Sequence, residues 1–407
     1  MLKFQKKTIY EALGREPVHP FPARMAPGIA LQAMADTERS RVLDPMMGSG
    51  TVLAMARAQG HRGFGFDIDP LAVLISKVWT TAMDRRAVRE QATNVLETAV
   101  REFNNITLAD AYPENADQET RQFVRYWFDG HARRQLAALS IAINSSEPGT
   151  TRDALWCAFS RLIISKQSGA SRAMDLSHSR PHRAFKTAPE KPFNKFLPAV
   201  ERVVTNSIDH RSEDRGPAPM IRIGDARRLP LPDASVDLVL TSPPYLNAID
   251  YIRCSKFSLV WMGYGVGDLR DVRTDSVGTE AAGQSLDGDN EIRSIVGALK
   301  LQPKLEQRHE RILTKYIHDM RGTISEVGRV LSSGGKAVYV VGENTLRGTY
   351  IRTSVIVTKL AESAGLSLTE QRNRTLPANR RYMPPPSSAQ GTMDARMRRE
   401  IVMTFIK

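Results

Sequence analysis

Cysteine is scarce in this chain. Its 407 residues include two cysteines, Cys157 and Cys254, which lie far apart and form no CxxC pair. A disulfide framework or a thiolate zinc site needs more cysteines at closer spacing, so the sequence excludes both and indicates a reducing compartment. We therefore expect a cytoplasmic protein that uses no metal ion.

Long apolar runs are also missing. No stretch approaches the roughly 18 consecutive apolar residues that span a membrane, and the basic first residues are not followed by the apolar segment of a signal peptide. A soluble protein without a membrane partner is expected. We find no internal repeats.

Acidic residues are outnumbered by basic ones. The chain has 57 Lys and Arg against 44 Asp and Glu, which gives a formal charge of +13 and a pI near 9.8. Such a charge indicates a polyanionic partner. The length and the 41% of hydrophobic residues allow a large core in two or three domains.

The most informative stretch is residues 236–245, which read VDLVLTSPPY. Its first half is typical of a strand buried on both faces of a parallel sheet. Pro243 and Pro244 end that strand, because they cannot donate hydrogen bonds and they keep the preceding residues extended. The resulting corner falls at the carboxyl end of a strand, where open α/β sheets bind ligands. For Pro-Pro alone, a loop that simply closes the strand is the alternative, but Ser242 and Tyr245 favour a functional turn.

This corner suits methyl transfer to an exocyclic amino group. The Ser242 hydroxyl and the Pro243 carbonyl can both accept hydrogens from the planar amine, and Tyr245 offers a face on which a base can stack. The stretch resembles motif IV of the amino-methylating DNA methyltransferases, which act on cytosine N4 or adenine N6. The resemblance implies Ser242, Pro243, Pro244 and Tyr245 as catalytic residues. A serine in the first position favours cytosine N4 over adenine N6.

Residues 41–51, RVLDPMMGSGT, read as a strand followed by a glycine-rich turn and a helix, in which backbone amides approach a ligand closely. No Lys follows Gly50, which excludes a Walker A loop. Asp67 ends the next strand 19 residues after Gly48, near the spacing at which a carboxylate binds ribose hydroxyls. A helix N-cap is the alternative role for Asp67, and Asp69 fits that role better.

These segments resemble motifs I and II of the same superfamily, whose cofactor is S-adenosyl-L-methionine. The segment HPFPA at 19–23 resembles the motif X arm, and the strand that ends in Gly224-Asp225-Ala226 resembles motif III, whose acid contacts the cofactor's adenine amino group. Met46 departs from the family, which commonly has Phe there. The cofactor-binding residues implied by the resemblance are Phe21, Pro22, Asp44, Met46, Gly48, Ser49, Gly50, Thr51, Asp67, Ile68, Asp225 and Ala226.

The resemblance implies an α/β fold, a Rossmann-like class I methyltransferase sheet with a largely helical insertion. We predict three parts: residues 1–83 with the arm and the first half of the catalytic domain, 84–216 as an inserted basic target-recognition region, and 217–407 as the second half with a basic C-terminal segment. Helices are predicted at 85–103, 120–143, 154–166, 305–330 and 355–364. Aromatic residues at 123, 126 and 127 are expected in the core, a final strand is expected at 401–406, and 263–290 is predicted to be a lid or a disordered loop.

The insertion carries a basic cluster. Residues 152–195 contain nine Lys and Arg against three acids, and arginine and serine side chains reach phosphates while arginine also reaches base edges. A solvated loop is the alternative. His178 and His182 lack further ligands, so no metal site is expected. The predicted DNA-binding residues are Arg172, Ser177, His178, Arg180 and Arg183, together with Arg380 and Arg381 of the basic C-terminal segment.

The sequence thus predicts a site-specific methyltransferase that flips a base out of double-stranded DNA and methylates it directly. Cytosine N4 is preferred as the target, and adenine N6 is the alternative. No cysteine follows a proline, so C5 methylation of cytosine through a covalent intermediate is excluded. An RNA methyltransferase and a catalytically inactive DNA-binding protein are further alternatives. A cognate restriction nuclease is a candidate partner.

Overall fold

The structure is a computed structural model that describes residues 7–22, 24–35, 37–176, 181–212, 216–246, 251–279, 289–376 and 399–407. Within these residues the helices are α1 (Ile9–Leu13), α2 (Pro27–Met34), α3 (Thr51–Ala58), α4 (Pro70–Thr80), α5 (Arg85–Glu102), α6 (Gln118–Trp127), α7 (Gly130–Asn144), α8 (Thr150–Ile163), α9 (Pro192–Asn206), α10 (Tyr251–Leu259), α11 (Val266–Asp275), α12 (Asn290–Leu299), α13 (Gln307–Val330) and α14 (Thr353–Ser363). The strands are β1 (Arg41–Asp44), β2 (Arg62–Asp67), β3 (Ala82–Met83), β4 (Ile208–Asp209), β5 (Met220–Ile223), β6 (Val236–Thr241), β7 (Leu331–Gly342), β8 (Asn344–Leu346), β9 (Thr349–Ile351), β10 (Ser367–Thr375) and β11 (Arg399–Ile406).

One seven-stranded sheet organises the fold, in the order β10-β11-β7-β6-β1-β2-β5. The five strands from β7 to β5 are parallel, whereas β11 is antiparallel to both of its neighbours. The apolar run Val236–Thr241 forms the central strand, and its Val236, Leu238 and Leu240 are at most 1% exposed. The predicted α/β, Rossmann-like fold with a parallel central sheet is confirmed.

The strand order reverses between β1 and β6. The chain proceeds from β1 outward to β2 and β5, and then returns to build β6 and β7 on the other side of β1. Such a switch point opens a crevice at the carboxyl ends of the strands. Asp44, Asp67 and Thr241 end three of the strands at this edge.

The helical insertion packs against the sheet's own helices and forms one apolar core with them. Trp79 of α4, Phe159 of α8, and Phe257 and Trp261 of the segment after motif IV are buried in this core. Phe128, between α6 and α7, lies edge-on to Trp261 with their ring centroids 5.5 Å apart. The insertion therefore shares one apolar core with the helices of the sheet.

Most of the predicted helices are present, but the single helix expected at 120–143 is wrong. The structure has two helices there, α6 and α7, separated by Phe128 and Asp129. The Asp129 carboxylate caps α7 by accepting hydrogen bonds from the backbone of His131 (3.0 Å) and Ala132 (3.1 Å). The apolar periodicity of the sequence continues across Asp129, so the sequence alone did not reveal the break between α6 and α7.

Three further expectations need correction. The predicted lid or disordered loop contains a regular helix, α11, although residues 280–288 of that stretch lie outside the described residues. Tyr126 was expected in the core and is 53% exposed.

Strand β10 was not predicted, because its side chains are mostly solvent-exposed and show no apolar alternation. Its place at the sheet edge is set by antiparallel pairing with β11.

Candidate active site

A cavity of about 370 Å³ opens at the switch point. All four motif IV residues, Ser242 to Tyr245, line it. The predicted cofactor-binding residues that line the same cavity are Phe21, Pro22, Asp44, Met46, Gly48, Ser49, Thr51, Asp67, Ile68, Asp225 and Ala226. Segments that are more than 200 residues apart in the sequence, such as those of Phe21 and Tyr245, therefore meet around one space of the size that holds a small molecule.

Gly50 is the one predicted cofactor residue that does not line this cavity. It precedes α3 with a φ of +82°, and a Cβ placed on it would lie 2.2 Å from the Ser76 Oγ of α4. A side chain at this position would therefore collide with a neighbouring helix, and the backbone conformation favours glycine independently. Gly50 serves the close approach of α3 to α4.

Three buried or partly buried aspartates, Asp44, Asp67 and Asp69, line this cavity. Asp44 Oδ1 accepts a hydrogen bond from Thr241 Oγ1 at 2.8 Å, which ties the end of β1 to the end of β6. Asp67 accepts one from the Gly48 amide at 2.8 Å and one from the Asp69 amide at 2.9 Å. Asp69 caps α4 through the Leu71 amide (2.9 Å), as the sequence suggested, and accepts from Ser255 Oγ at 2.5 Å.

This cluster holds protons more tightly than isolated carboxyl groups do. Burial raises the pKa of Asp44 to about 7, against the opposing effect of its hydrogen bond from Thr241. Burial and then the charge of Asp67 raise the pKa of Asp69 to about 7. Burial also raises the pKa of Asp67. Part of the cluster is therefore neutral near physiological pH.

Asp225 is held by an arginine that sequence reasoning missed. Arg227 donates to Asp225 Oδ1 through Nε (3.0 Å) and to Oδ2 through Nη2 (2.7 Å), and its Nη1 reaches Asp319 at 2.8 Å. Burial raises the pKa of Asp225, but the hydrogen bonds from Arg227 outweigh it and leave that pKa below its ordinary value. The Asp225 carboxylate is therefore charged and fixed in direction at the cavity wall.

The motif IV turn is anchored on several sides. Ser242 Oγ donates to the Val340 carbonyl of β7 at 3.1 Å, and the Pro244 carbonyl accepts from the Tyr316 hydroxyl at 3.2 Å. The Tyr245 hydroxyl donates to Glu400 Oε1 at 3.2 Å. Burial, followed by the nearby charge of Glu400, raises the pKa of Tyr245 well above its usual value, so the phenol stays protonated.

Further residues of the cavity wall escaped sequence reasoning. Glu400 and Arg374, paired at 2.5 Å, come from β11 and β10, and Tyr251 stacks on Phe21 with the ring centroids 5.7 Å apart and the planes 13° apart. Arg24 donates to Ser49 Oγ at 3.3 Å, which joins the arm to the glycine loop. Sequence patterns identified the arm and the final strand. No sequence pattern predicted that these two segments lie against the other motifs.

Two of the predicted DNA-binding residues, Arg172 and Arg183, belong to the part of the chain that the structure describes. Arg172 donates to the carbonyls of Arg125 (3.3 Å) and Tyr126 (3.2 Å) at the end of α6, and the Arg183 guanidinium lies 5.5 Å from the centre of the Tyr126 ring. Neither arginine lines the cavity. Ser177, His178, Arg180, Arg380 and Arg381 lie outside the described residues. Among the helices that the structure describes, none is long and apolar enough to cross a membrane.

The chain is similar to three type II methyltransferases. It is 24% identical to M.MvaI of Kocuria varians over 95% of this chain and 89% of that protein. It is 21% identical to M.AvaI of Nostoc sp. over 81% of this chain and 73% of that protein. It is 23% identical to M.BsoBI of Geobacillus stearothermophilus over 57% of this chain and 49% of that protein. No protein-family model matches the chain. These similarities bear out the resemblance predicted from the motifs, and the similarity to M.MvaI extends over 95% of the chain.

Proposed function

We propose that this chain is an S-adenosyl-L-methionine-dependent DNA methyltransferase that modifies an exocyclic amino group of a flipped base, with cytosine N4 as the preferred target. The observation that carries the proposal is the single cavity lined by both the glycine loop and the Ser-Pro-Pro-Tyr turn. Methyl transfer requires a donor and an acceptor side by side, and this cavity provides walls suited to each. The relationship to type II methyltransferases supports the same reaction class.

The glycine-loop half of the cavity fits the cofactor. Thr51 Oγ1 is buried at the cavity wall and has no hydrogen-bond partner among the described residues, as expected of a group that meets a polar ligand. The loop from Gly48 to Thr51 would hold the cofactor, with Asp67 toward the ribose hydroxyls and Asp225 toward the adenine amino group. Phe21, stacked on Tyr251, supplies an apolar wall. When bound, S-adenosyl-L-methionine supplies an electrophilic methyl group.

The Ser-Pro-Pro-Tyr half fits the amine. The one hydrogen of the Ser242 hydroxyl is donated to the Val340 carbonyl, so the oxygen presents lone pairs to a ligand. It can therefore accept a hydrogen from the target amine together with the Pro243 carbonyl, and draw the amine lone pair out of conjugation with the ring. Tyr245, its hydroxyl anchored on Glu400, offers its ring for stacking. Positioning and fixed dipoles account for most of the acceleration.

The preference for cytosine N4 rests on Ser242. A neutral hydroxyl acceptor in the first motif IV position differs from the Asp or Asn that is usual in adenine-N6 enzymes of the resembling family. Adenine N6 is the alternative target. The cognate nuclease and the recognition role of residues 84–216 stay predictions.

Nucleoside mass spectrometry of DNA and of RNA from cells that express the protein tests the proposal. We expect N4-methyldeoxycytidine in cells with the wild-type chain and its loss with Ser242→Ala, whose affinity for DNA should change little because the Ser242 contact strengthens in the transition state. N6-methyladenine alone would overturn the cytosine preference and keep the mechanism. Methylation confined to RNA, or 5-methylcytosine in DNA, would overturn the proposal itself.

A further inference from the structure

The Asp225 carboxylate lines the candidate active-site cavity, and one neighbour occupies most of its hydrogen-bonding capacity. Arg227 donates to Oδ1 through its backbone amide (2.8 Å) and its Nε (3.0 Å), and to Oδ2 through Nη2 (2.7 Å). An ionised carboxylate offers about four acceptor sites, so these three donors leave one site for a ligand. The Asp225 side chain is 38% exposed, so this site is available to the contents of the cavity.

The Arg227 guanidinium is itself held on its other side. Its Nη1 donates to Asp319 Oδ1 at 2.8 Å, and its Nη2 donates to the Asp275 carbonyl at 2.9 Å. Asp319 is 4% exposed on α13, and its other oxygen accepts from Lys315 Nζ at 2.6 Å. Four of the five side-chain N–H groups of Arg227 are thus bonded. The arginine cannot turn away without breaking bonds to several elements.

The bond to Asp275 also ties down a second part of the cavity wall. Asp275 ends α11, and residues 275–279 line the cavity. A cation at the C-terminus of a helix is favourable because the helix dipole is negative there. Gly278 lies close to the motif IV turn, since a Cβ placed on it would be 3.1 Å from the Tyr245 carbonyl oxygen. Arg227 does not line the cavity, yet it positions two segments that do.

An ionised carboxylate held in this way selects its ligand by hydrogen-bond polarity. It can only accept hydrogen bonds, so an amino group suits it and a carbonyl oxygen in the same place does not. Burial raises the pKa of Asp225, and the hydrogen bonds from Arg227 bring that pKa below its ordinary value. Without the arginine, burial would favour the neutral carboxyl group, which can also donate to a carbonyl. The selectivity of Asp225 therefore depends on Arg227.

We propose that Arg227 is a positioning residue that makes the cofactor site selective for a purine with an exocyclic amino group, by holding Asp225 as a fixed acceptor. This inference rests on the proposed function, in which Asp225 faces the adenine of the cofactor. A purely structural tie between β5 and α13 is the competing role for Arg227. Loss of such a tie would weaken the binding of related ligands equally, whereas loss of a fixed acceptor changes the ratio of their affinities.

The test measures that ratio with two ligands that differ at one position. S-adenosyl-L-homocysteine carries an amino group where S-inosyl-L-homocysteine carries a carbonyl oxygen, and titration calorimetry gives the affinity of each. Arg227→Gln removes the guanidinium. Arg41→Gln is the matched control, because Arg41 pairs with Asp237 through Nε (3.0 Å) and Nη2 (2.6 Å) and does not line the cavity. Thermal unfolding checks that each variant is folded.

We expect wild type to bind the adenosyl ligand at least about tenfold more tightly than the inosyl ligand, as a hydrogen bond to a charged group requires. Arg41→Gln should keep this preference. Arg227→Gln should reduce it about three- to tenfold. If Arg227→Gln does not fold, Arg227→Lys should reduce the preference in the same direction, since lysine keeps the charge between Asp225 and Asp319 but cannot form the two-pronged contact.

The outcomes separate this inference from the proposed function. An unchanged preference in the folded Arg227 variants, or a wild type that binds both ligands equally, would overturn the inference. Methylation of DNA by the same wild-type preparation would then leave the proposed function standing. A wild-type chain that binds neither ligand and methylates no DNA would overturn both.

Discussion

The Tyr245 hydroxyl donates a hydrogen bond to Glu400, a residue 155 positions later in the chain and 3.2 Å away. Glu400 is itself paired with Arg374 of the neighbouring strand at 2.5 Å. The two antiparallel strands at the sheet edge therefore fix the aromatic face on which the target base is proposed to stack. Glu400 and Arg374 act as positioning residues for Tyr245.

This arrangement separates two contributions of Tyr245. Tyr245→Phe keeps the stacking face and removes one hydrogen bond, so we expect a loss of about 0.5–1.5 kcal/mol in transition-state stabilisation. Tyr245→Ala removes the face as well, and stacking on an aromatic side chain contributes about 1–3 kcal/mol per base. Single-turnover methylation and DNA affinity measure the two losses. Equal effects of Phe and Ala would contradict a stacking role, and cofactor affinity should be unchanged in both.

Asp67 is expected to hold the cofactor. Asp67→Ala should weaken binding of S-adenosyl-L-methionine by about 1–3 kcal/mol, because polar partners would be left without an acceptor. Titration calorimetry on the folded variant is the measurement. Asp69→Ala is the matched control: it removes the α4 cap, so it should lower the melting temperature more than the cofactor affinity. Unchanged affinity in Asp67→Ala would place the ribose-binding carboxylate elsewhere.

The buried carboxyl cluster predicts a pH dependence of stability. Asp44 and Asp69 have pKa values near 7 in the folded chain, whereas aspartates in an unfolded chain have pKa values near 4. Between about pH 4 and pH 7 the folded state therefore binds more protons than the unfolded state does. Their stabilising contribution is complete below about pH 4 and is lost as the pH rises through about 7. Asp44→Asn should therefore make the free energy of unfolding depend less steeply on pH between these two values. An identical pH profile for wild type and Asp44→Asn, measured by urea unfolding, would contradict the shift.

Gly50 allows steric overlap to be distinguished from backbone strain. Gly50→Ala should destabilise the chain by more than Gly14→Ala, because both glycines have positive φ but a Cβ on Gly14 meets nothing within 4 Å. Strain at positive φ costs about 1–2 kcal/mol, and the collision with Ser76 adds to it. Ser76→Gly should partly rescue Gly50→Ala in thermal unfolding. Equal melting temperatures for the two alanine variants would show that α3 and α4 separate at little cost.

Motifs I, II and IV located the cavity because each of them follows a mostly buried strand. The local sequence there has to satisfy the strand, the turn and the ligand at once. Asp44, Gly48 and Ser242 were found in this way. Glu400 and Arg374 were not, because their place depends on β11 pairing antiparallel with β7 and β10, and long-range pairing leaves no local pattern. Arg227 lay two residues from a predicted acid, and only the fold shows that it reaches Asp319 as well.

The insertion illustrates a different limit. Its basic composition suggested a recognition surface, yet Arg172 donates to the carbonyls at the end of α6. Charge counts do not distinguish an arginine that caps a helix from one that faces a phosphate.

The core shared by the insertion and the helices after motif IV bears on how specificity can change. His19 of the arm is hydrogen-bonded to Ser160 of α8 at 3.0 Å, and Ser160 donates to Ser258 of α10 at 2.9 Å, so three distant segments are joined in a buried chain. Exchange of residues 84–216 for those of another enzyme would break this chain and strip the apolar cover from Phe257 and Trp261. The region predicted to recognise the target therefore cannot be exchanged as a unit. We expect new targets to arise by substitution of its surface residues while the interior stays intact.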